Sequence, residues 1–315
     1  MTRPDILQLG GYPDWDQTPL NADYRMHRYH EAADKAAFLA EVGPSIRGIV
    51  TKGDVGADAQ IIAACPALEV IVIYGVGYDS IDMAACRARN IRVANTPDVL
   101  TEDVADLGVA MMLALSRGLI GADAWVRDGN WAAKGSYPLQ RKVSGRRAGI
   151  LGLGRIGRAV GERLAGFGMQ IAYSSQSPKM DVEDWEHVPD PVALARGSDV
   201  LFVTLAASPE TRHIVNAEVL TALGPEGMLV NISRAANIDE AALLAALESG
   251  ALGSAALDVF EGEPRLDPRF VSLPNVLLQP HHASATVETR RAMGQLMRDN
   301  LAAHFAGRGL LTPVD

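Results

Sequence analysis

A glycine-rich turn between an apolar run and a helical pattern constrains this chain more than any other feature. The stretch RAGILGLGRIGRAVGERL places Gly152, Gly154 and Gly157 in G-x-G-x-x-G spacing, after a predicted strand and at the start of a predicted helix. There Gly152 allows a tight turn, Gly154 lets a pyrophosphate approach the backbone, and Gly157 lets the helix pack closely on the strand. Free N–H groups at the helix start favour the phosphate charge. The stretch predicts a Rossmann-type dinucleotide site; the alternative is a turn that only packs a helix on a sheet.

Short apolar runs alternate with helical patterns along almost the whole chain. The predicted strands are DILQLG, RGIVTK, LEVIVIYGVG, IRVANTP, RAGILGLG, MQIAYSS, DVLFVTL, GMLVNIS, SAALDVF and NVLLQP. The predicted helices include EAADKAAFLAEV, SIDMAACRAR, RIGRAVGERLAGF, AEVLTAL and DEAALLAALES. Several strands are apolar without alternation, which is typical of parallel strands covered on both faces. The pattern predicts the α/β class with parallel sheets.

Two longer helical patterns flank the second block of strands. They lie in NTPDVLTEDVADLGVAMMLALSR and in SATVETRRAMGQLMRDNLAAHF, the latter with Ser284 or Thr286 as its N-cap. A chain of 315 residues exceeds what one core usually holds, so we expect two domains. Because terminal helices often dock on the body of a protein, we expect the chain end to rejoin the first domain. The expected limits are 1–99 plus 287–315 and 100–286, with a cleft between the two domains.

Charge and composition exclude several classes of partner. The formal net charge of −9 disfavours nucleic acid and anionic membranes, because both select a basic protein surface. The longest apolar run, LGVAMMLAL, is far shorter than the ~20 residues of a membrane span, and the N-terminus MTRPDILQLGG lacks the apolar core of a signal peptide. Cys65 and Cys86 have no metal-binding spacing and suit a reducing compartment. We expect a cytoplasmic protein without a metal.

The end of the second strand in the dinucleotide domain bears on the choice of coenzyme. An NAD site usually has Asp or Glu about 20 residues after the glycine-rich turn, where it binds the ribose hydroxyls. Here AYSSQSPK has Ser174, Ser175, Gln176 and Ser177 at that place. Without a carboxylate to repel a 2′-phosphate, NADP(H) is favoured, and Lys179 is a nearby cation. Because no Arg fills the position, NAD(H) stays as the alternative.

Six segments, in order, resemble the successive signatures of the D-isomer-specific 2-hydroxyacid dehydrogenases. They are GVGYDSID, NTPDVLTEDVADLGVAMML, GILGLGRIGRAV, NISRAANIDEAALLAAL, ALDVFEGEP and LLQPHHASAT. The resemblance runs from about Lys52 onward, and RKVSGRRAGILGLGRIG and YSSQSPK are most like the glyoxylate/hydroxypyruvate reductase branch. It implies a flavodoxin-like substrate-binding domain, a Rossmann dinucleotide-binding domain and a homodimer. The implied activity is NAD(P)H-dependent reduction of a small 2-oxo acid to the D-2-hydroxy acid.

The resemblance implies three catalytic residues. Arg234 in NISRAAN, Glu263 in DVFEGEP and His281 in QPHHASAT stand at the family's catalytic arginine, carboxylate and histidine. Reducing a 2-oxo acid requires a proton at the carbonyl oxygen, which histidine donates near neutral pH, and a counter-charge for the carboxylate, which a planar guanidinium supplies. A neighbouring Glu263 favours the protonated ring and orients it. His282 stands at a variable position and receives no catalytic role. Taken singly, each residue is more often structural or solvated.

The resemblance also implies the binding residues. Backbone N–H groups of Val76 and Gly77 hold the substrate carboxylate together with Arg234. The residues implied along the dinucleotide are Gly152, Gly154, Arg155, Ile156, Gly157, Ser174, Ser175, Gln176, Ile232 and Asp258. The last two are expected near the nicotinamide, where Asp258 accepts a hydrogen bond from the carboxamide.

The sequence departs from the family's usual pattern at two positions, and three other classes of protein were weighed as alternatives. Ala235 stands where the family commonly has glycine, and Gln176 replaces an Arg often found in NADPH-preferring relatives. Formate dehydrogenases pair their histidine with glutamine, so Glu263 argues against them. A dinucleotide-sensing co-repressor shares the fold but acts through partners, for which no interaction segment is evident. A phosphoglycerate-type dehydrogenase would need further cationic side chains for its phosphate.

Overall fold

The computed structural model describes residues 3–182 and 184–314. Its strands are β1 Asp5–Gln8, β2 Arg25–Arg28, β3 Gly48–Lys52, β4 Val70–Tyr74, β5 Arg92–Ala94, β6 Arg147–Leu151, β7 Gln170–Ser174, β8 Glu186–His187, β9 Val200–Val203, β10 Met228–Asn231, β11 Ser254–Leu257, β12 Val276–Leu278 and β13 Pro313–Val314. Its α-helices are α1 Asp14–Asp23, α2 Lys35–Val42, α3 Ala59–Ala64, α4 Met83–Ala88, α5 Thr101–Ser116, α6 Leu119–Arg127, α7 Asn130–Lys134, α8 Arg155–Ala165, α9 Pro191–Arg196, α10 Ala217–Leu223, α11 Glu240–Ser249, α12 Arg269–Ser272 and α13 Val287–Phe305. Short 3-10 helices lie at Tyr29–Glu31, Gly43–Ser45 and Ala235–Asn237. Every strand and helix that the sequence predicts is present, and the α/β class is confirmed.

The chain forms two compact units, Met1–Leu100 with Ser284–Asp315 and Thr101–Ala283. The sheet of the first unit has the order β13-β5-β4-β3-β1-β2. All of its strand pairs are parallel except β13 with β5. Strands β1 to β5 thus follow the flavodoxin-like order 2-1-3-4-5, which reverses between β1 and β3.

The C-terminal helix α13 belongs to the first unit. Its N-cap is Thr286, whose side chain accepts a hydrogen bond from the Thr289 N–H. The Tyr74 hydroxyl at the end of β4 donates to the Arg290 carbonyl over 2.7 Å. Arg298 forms an ion pair with the fully buried Asp16 of α1. These contacts attach the last helix to the sheet and to helix α1 of the first unit.

The second unit contains a parallel sheet of order β12-β11-β10-β9-β6-β7-β8. Counted from β6, this is the Rossmann order 3-2-1-4-5-6 with one further strand, and it reverses between β6 and β9. Helix α5 packs on the sheet beside Ile232, where a Cβ on Gly108 would lie 2.7 Å from Ile232 Cδ1. Arg163 of α8 joins the same helix through Glu102 and Asp106, each at 2.6 Å.

No single helix in the described part of the chain is long and apolar enough to cross a membrane. Helices α5 and α6 together reach that length and composition, but they are bent by 57° at their junction. Helix α5 has seven buried residues, as expected of a helix in a protein core.

Candidate active site

The glycine-rich turn connects β6 to α8 at the point where the strand order of the second sheet reverses. Gly152 has φ +101°, a conformation that side chains rarely adopt, and its carbonyl accepts a 2.6 Å hydrogen bond from the Thr204 hydroxyl after β9. A Cβ on Gly157 would lie 2.2 Å from the Gly152 carbonyl oxygen, so only glycine fits there. Both glycines therefore allow the helix to begin directly over the strand.

The start of α8 has the properties of a phosphate site. Its N-cap is Gly154, which has no side chain to cap the helix. A Cβ on Gly154 would meet no heavy atom within 4 Å, so the space in front of the backbone is open. Arg155 is exposed and Ile156 half-buried beside it. An open space in front of a helix N-terminus fits the pyrophosphate of a dinucleotide.

The polar residues after β7 are partly held by the protein itself. The buried Ser174 donates to the Pro189 carbonyl over 3.0 Å, and the Ser175 hydroxyl donates to the Ser177 carbonyl over 2.6 Å. Gln176 is exposed, and the Lys179 N–H donates to the Tyr173 hydroxyl. No acid occupies the position of Gln176, as the sequence already shows.

Arg234 lies in a turn that follows β10 and is fixed by buried polar groups. The Asn231 side chain accepts hydrogen bonds from the N–H and hydroxyl of Ser233, and its amide donates to the Arg234 carbonyl. The fully buried Asn237 donates to the Ser233 hydroxyl over 3.1 Å. Sequence reasoning did not assign Asn231, Ser233 or Asn237. Their signal is a cluster of polar residues, NISRAAN, next to an apolar strand.

His281 and Glu263 form a direct pair. His281 Nδ1 lies 2.7 Å from Glu263 Oε2, and the other carboxylate oxygen accepts a 2.8 Å hydrogen bond from the Phe260 N–H. The hydrogen bond to Glu263 raises the pKa of His281 above its ordinary value, although burial opposes it. Burial raises the pKa of Glu263, but hydrogen bonds from His281 and Phe260 outweigh it and leave that pKa lowered. The pair favours an imidazolium next to a carboxylate.

The charge of Arg234 acts on both members of this pair. It contributes to the lowering of the Glu263 pKa and opposes the rise of the His281 pKa. The three residues follow β10, β11 and β12, which are neighbours in the sheet. The second unit therefore brings together the arginine, carboxylate and histidine that the sequence suggests.

Asp258 positions the segment that carries His281. Its buried carboxylate accepts hydrogen bonds from the N–H groups of His282 and Ala283 at 2.9 and 3.1 Å. Its carbonyl accepts one from the His281 N–H at 2.8 Å. Burial raises the pKa of Asp258, and the two N–H groups oppose that rise. His281 itself has φ +50°, a conformation that is uncommon outside glycine and concentrates at functional sites.

The two adjacent histidines have different surroundings. His281 contacts Glu263, whereas His282 Nε2 lies 2.6 Å from Gln279 Oε1 and the residue is exposed. Of the two histidines, His281 is therefore the one whose proton is stabilised by a carboxylate.

Val76 and Gly77 lie in the first unit, directly after β4. The Val76 carbonyl accepts a 2.7 Å hydrogen bond from the Asn95 side chain, and Gly75 exchanges hydrogen bonds with Thr96. In residues 3–182 and 184–314 the N–H groups of Val76 and Gly77 have no acceptor. Two adjacent free donors in an anchored loop suit an anion.

Residues 109–283 match the family model described as D-isomer specific 2-hydroxyacid dehydrogenase, NAD binding domain. A hydroxyphenylpyruvate reductase from Plectranthus scutellarioides is 46% identical over 309 residues, which are 98% of each chain. A solved 2-hydroxyacid dehydrogenase from Ketogulonicigenium vulgare Y25 is 68% identical, with a TM-score of 0.94, over 100% of this chain and 99% of its own. An NADPH-dependent glyoxylate/hydroxypyruvate reductase from Sinorhizobium meliloti, solved with NADP and malonate, is 39% identical, with a TM-score of 0.91, over 99% and 97% of the two chains.

Proposed function

Because this chain belongs to the family of D-isomer specific 2-hydroxyacid dehydrogenases, we propose that it reduces a small 2-oxo acid of the glyoxylate/hydroxypyruvate type to the D-2-hydroxy acid. The observation that carries this proposal is the 2.7 Å pair of His281 with Glu263, in a Rossmann unit whose glycine-rich turn fits a dinucleotide. The relatives are reductases over nearly their full length, so neither a sensor nor a phosphoglycerate-type enzyme is favoured.

The chain's own residues supply binding and the proton. In the second unit, Arg234 is the proposed partner of the substrate carboxylate, a group that a planar guanidinium binds well. In the first unit, the proposed donors to a carboxylate are the N–H groups of Val76 and Gly77. His281, protonated and held at Nδ1 by Glu263, donates its Nε2 proton to the carbonyl oxygen. The resulting neutral ring stays oriented by Glu263, and solvent restores its proton. The nicotinamide, when bound, supplies the hydride that adds to the carbonyl carbon.

The cofactor is a nicotinamide dinucleotide, and we infer that it is NADP(H). The turn at Gly152, Gly154 and Gly157, with Arg155 and Ile156, would hold the pyrophosphate. Ser174, Ser175 and Gln176 would lie along the adenosine ribose, where the lack of an acid permits a 2′-phosphate. Ile232 and Asp258 would border the nicotinamide, and Asp258 would accept from its carboxamide while it holds the His282 and Ala283 N–H groups.

The proposal also covers the roles of the two units, the cellular compartment and the oligomeric state. The first unit binds the substrate and the second binds the dinucleotide. The chain acts in the cytoplasm. It assembles as a homodimer, which is supported by exposed apolar side chains on α6 and α7, among them Ile120 at 68% and Trp131 at 65% exposure.

The test is the loss of reduced-nicotinamide absorbance when the purified protein meets glyoxylate or hydroxypyruvate. NADPH and NADH are compared under identical conditions. The proposal expects turnover with both acids and a higher kcat/KM for NADPH than for NADH. Turnover that is faster with NADH would overturn only the coenzyme assignment. Dinucleotide binding without turnover of any small 2-oxo acid would overturn the proposed function.

A further inference from the structure

Glu240 is the first residue of helix α11, but its side chain does not cap that helix. The N-cap is Asp239, whose carboxylate accepts a 3.0 Å hydrogen bond from the Ala242 N–H. Glu240 instead reaches residues 260–263, which follow β11 and are called the carboxylate turn below. There its Oε1 accepts a 2.6 Å hydrogen bond from the Glu261 N–H, across 21 positions of sequence. The side chain therefore connects the start of a helix with a separate turn of the second unit.

The carboxylate turn carries Glu263, the partner of His281. Glu263 Oε1 accepts a 2.8 Å hydrogen bond from the Phe260 N–H, and its Oε2 lies 2.7 Å from His281 Nδ1. The next N–H along the chain, that of Glu261, donates to Glu240. Two successive N–H groups of the turn therefore donate to two different carboxylates, and Glu240 is the one that comes from another element.

The backbone between Arg234 and Glu240 is itself held in place. The His213 N–H donates to the Ala236 carbonyl over 2.9 Å. The ring of the same histidine faces the carboxylate turn, with Nε2 3.6 Å from Glu261 Oε1. Glu240 therefore connects two anchored segments, the turn after β10 that carries Arg234 and the carboxylate turn after β11.

Glu240 lies where a carboxylate is not favoured. It is half-buried, and among residues 3–182 and 184–314 it pairs with no Lys, Arg or His side chain. Burial raises the pKa of Glu240, and the charges of Glu261, Asp267 and Glu263 add to this rise, which the Glu261 N–H opposes. An acid in the first turn of a helix is stabilised by the helix N-terminus, but an exposed acid would gain that effect without burial. Residues that cost stability in this way concentrate at functional sites.

We propose that Glu240 is a positioning residue, which holds the carboxylate turn so that Glu263 faces His281. This deepens the proposed function and rests on it, because His281 is the proton donor proposed there. The role depends on the reach of the acceptor oxygen and not on its charge. Without that acceptor the Glu261 N–H turns to water, the carboxylate turn is free to move, and Glu263 holds the histidine ring for less of the time.

Two substitutions separate reach from charge. Glu240→Asp keeps the charge but withdraws the oxygens by one methylene group, whereas Glu240→Gln keeps the length and a carbonyl acceptor but removes the charge. The measurement is an NMR titration of the ring-labelled histidines, in which the His281 signal is identified by its loss in His281→Ala. Glu240→Asp is expected to lower the pKa of His281, because Glu263 then stabilises the imidazolium less, and Glu240→Gln to leave it as in the wild type. Arg234 and Asp258, which also act on this pKa, are unaltered in both variants.

The pH profile of kcat/KM for glyoxylate gives a second readout. Above the pKa of His281, kcat/KM is expected to fall about threefold or more in Glu240→Asp, because a smaller fraction of the rings is protonated. At low pH, where the ring is protonated in every variant, kcat/KM stays near that of the wild type. Glu218→Ala, which removes an exposed acid from the first turn of the neighbouring α10, is the matched control and keeps both readouts.

Two outcomes would overturn the inference. One is a titration of His281 that Glu240→Asp does not change, since Glu240 would then serve only its own helix. The other is a fall of the His281 pKa in Glu240→Gln that equals the fall in Glu240→Asp, since charge and not reach would then matter. The thermal unfolding midpoint of each variant shows whether it is folded. Failure of the proposed function is distinct, because a wild type without turnover of any 2-oxo acid still gives the titration of His281.

Discussion

The proton on His281 is stabilised mainly by the neighbouring carboxylate of Glu263. Glu263 lies 2.7 Å from His281 Nδ1 and accepts a hydrogen bond from the Phe260 N–H. The Phe260 N–H thereby orients the carboxylate towards the histidine ring. Because we propose that the acid form of the ring is the proton donor in reduction, the pKa raised by Glu263 is expected to extend the reductive activity to higher pH. Above that pKa the ring is neutral, and the rate of reduction is expected to fall.

Replacing Glu263 by Gln tests this dependence. The amide keeps the shape but removes the negative charge, so the pKa of His281 falls and the alkaline limb of kcat/KM moves to lower pH. The measurement is the pH profile of reductive kcat/KM for the wild type and Glu263→Gln. Asp267→Asn is the control, since this acid follows the same strand but pairs with Arg269. An alkaline limb that stays in place in Glu263→Gln would contradict the role of Glu263.

The sequence points to His281 as a candidate, but it does not show which groups hold this residue in place. The motif QPHHASAT places two histidines in sequence, and the resemblance singled out the first. The sequence did not reveal the φ of +50° at His281 or the two N–H groups that Asp258 accepts. Both depend on the spatial proximity of β11 and β12, which no local pattern encodes. Asp258 was expected near the nicotinamide, and its structural role is an addition.

At the level of elements, two glycines in the turn between β6 and α8 are needed for different reasons. Gly157 has no room for a Cβ, whereas a Cβ on Gly154 would project into open space. Gly157→Ala is therefore expected to lower the free energy of unfolding by about 1–3 kcal/mol through overpacking. Gly154→Ala is expected to leave stability nearly unchanged and to weaken dinucleotide binding, because its methyl group would occupy the space of the pyrophosphate.

Thermal or denaturant unfolding and titration with NADPH measure the two effects separately. Each variant serves as the control for the other. If Gly154→Ala binds NADPH as tightly as the wild type, the dinucleotide does not approach this turn. If Gly157→Ala is as stable as the wild type, the close contact with the Gly152 carbonyl is not needed.

The apolar strands inside the sheets were predictable, and the polar or two-residue strands at the sheet edges were not. Strands such as β9 and β10 are buried on both faces, so their sequence is continuously apolar. In contrast, β2 has the sequence RMHR, and β8 and β13 have two residues each. These strands lie at sheet edges, where one side has no strand neighbour. Because they are less buried, their sequences need not be apolar. Whether such a segment pairs as a strand therefore depends on the neighbouring strand and not on its own sequence.

On the scale of the whole molecule, the apolar surface of α6 and α7 supports a dimer. Leu119, Ile120 and Val126 of α6 are each more than half exposed, as is Trp131 of α7. Exposed apolar side chains concentrated on two neighbouring helices can mark an association surface. We expect a mass in solution of twice that of the chain.

Ile120→Asp is expected to shift the protein towards the monomer, because a charge placed in an apolar contact is not solvated. Val271→Asp, at a position that is 71% exposed on α12, is the matched control and should leave the dimer intact. Light scattering coupled to size-exclusion chromatography gives the mass. A wild type that is monomeric at all concentrations, or two variants that behave alike, would contradict this surface.

The most direct test of His281 as the proton donor compares His281→Ala with His282→Ala. His281→Ala is expected to lose the reduction of glyoxylate and hydroxypyruvate yet to bind NADPH as the wild type does. His282→Ala, which removes a side chain that contacts Gln279, is expected to keep most of the activity. Turnover by His281→Ala at a rate near that of the wild type, or a larger loss in His282→Ala, would contradict the assignment of the proton donor.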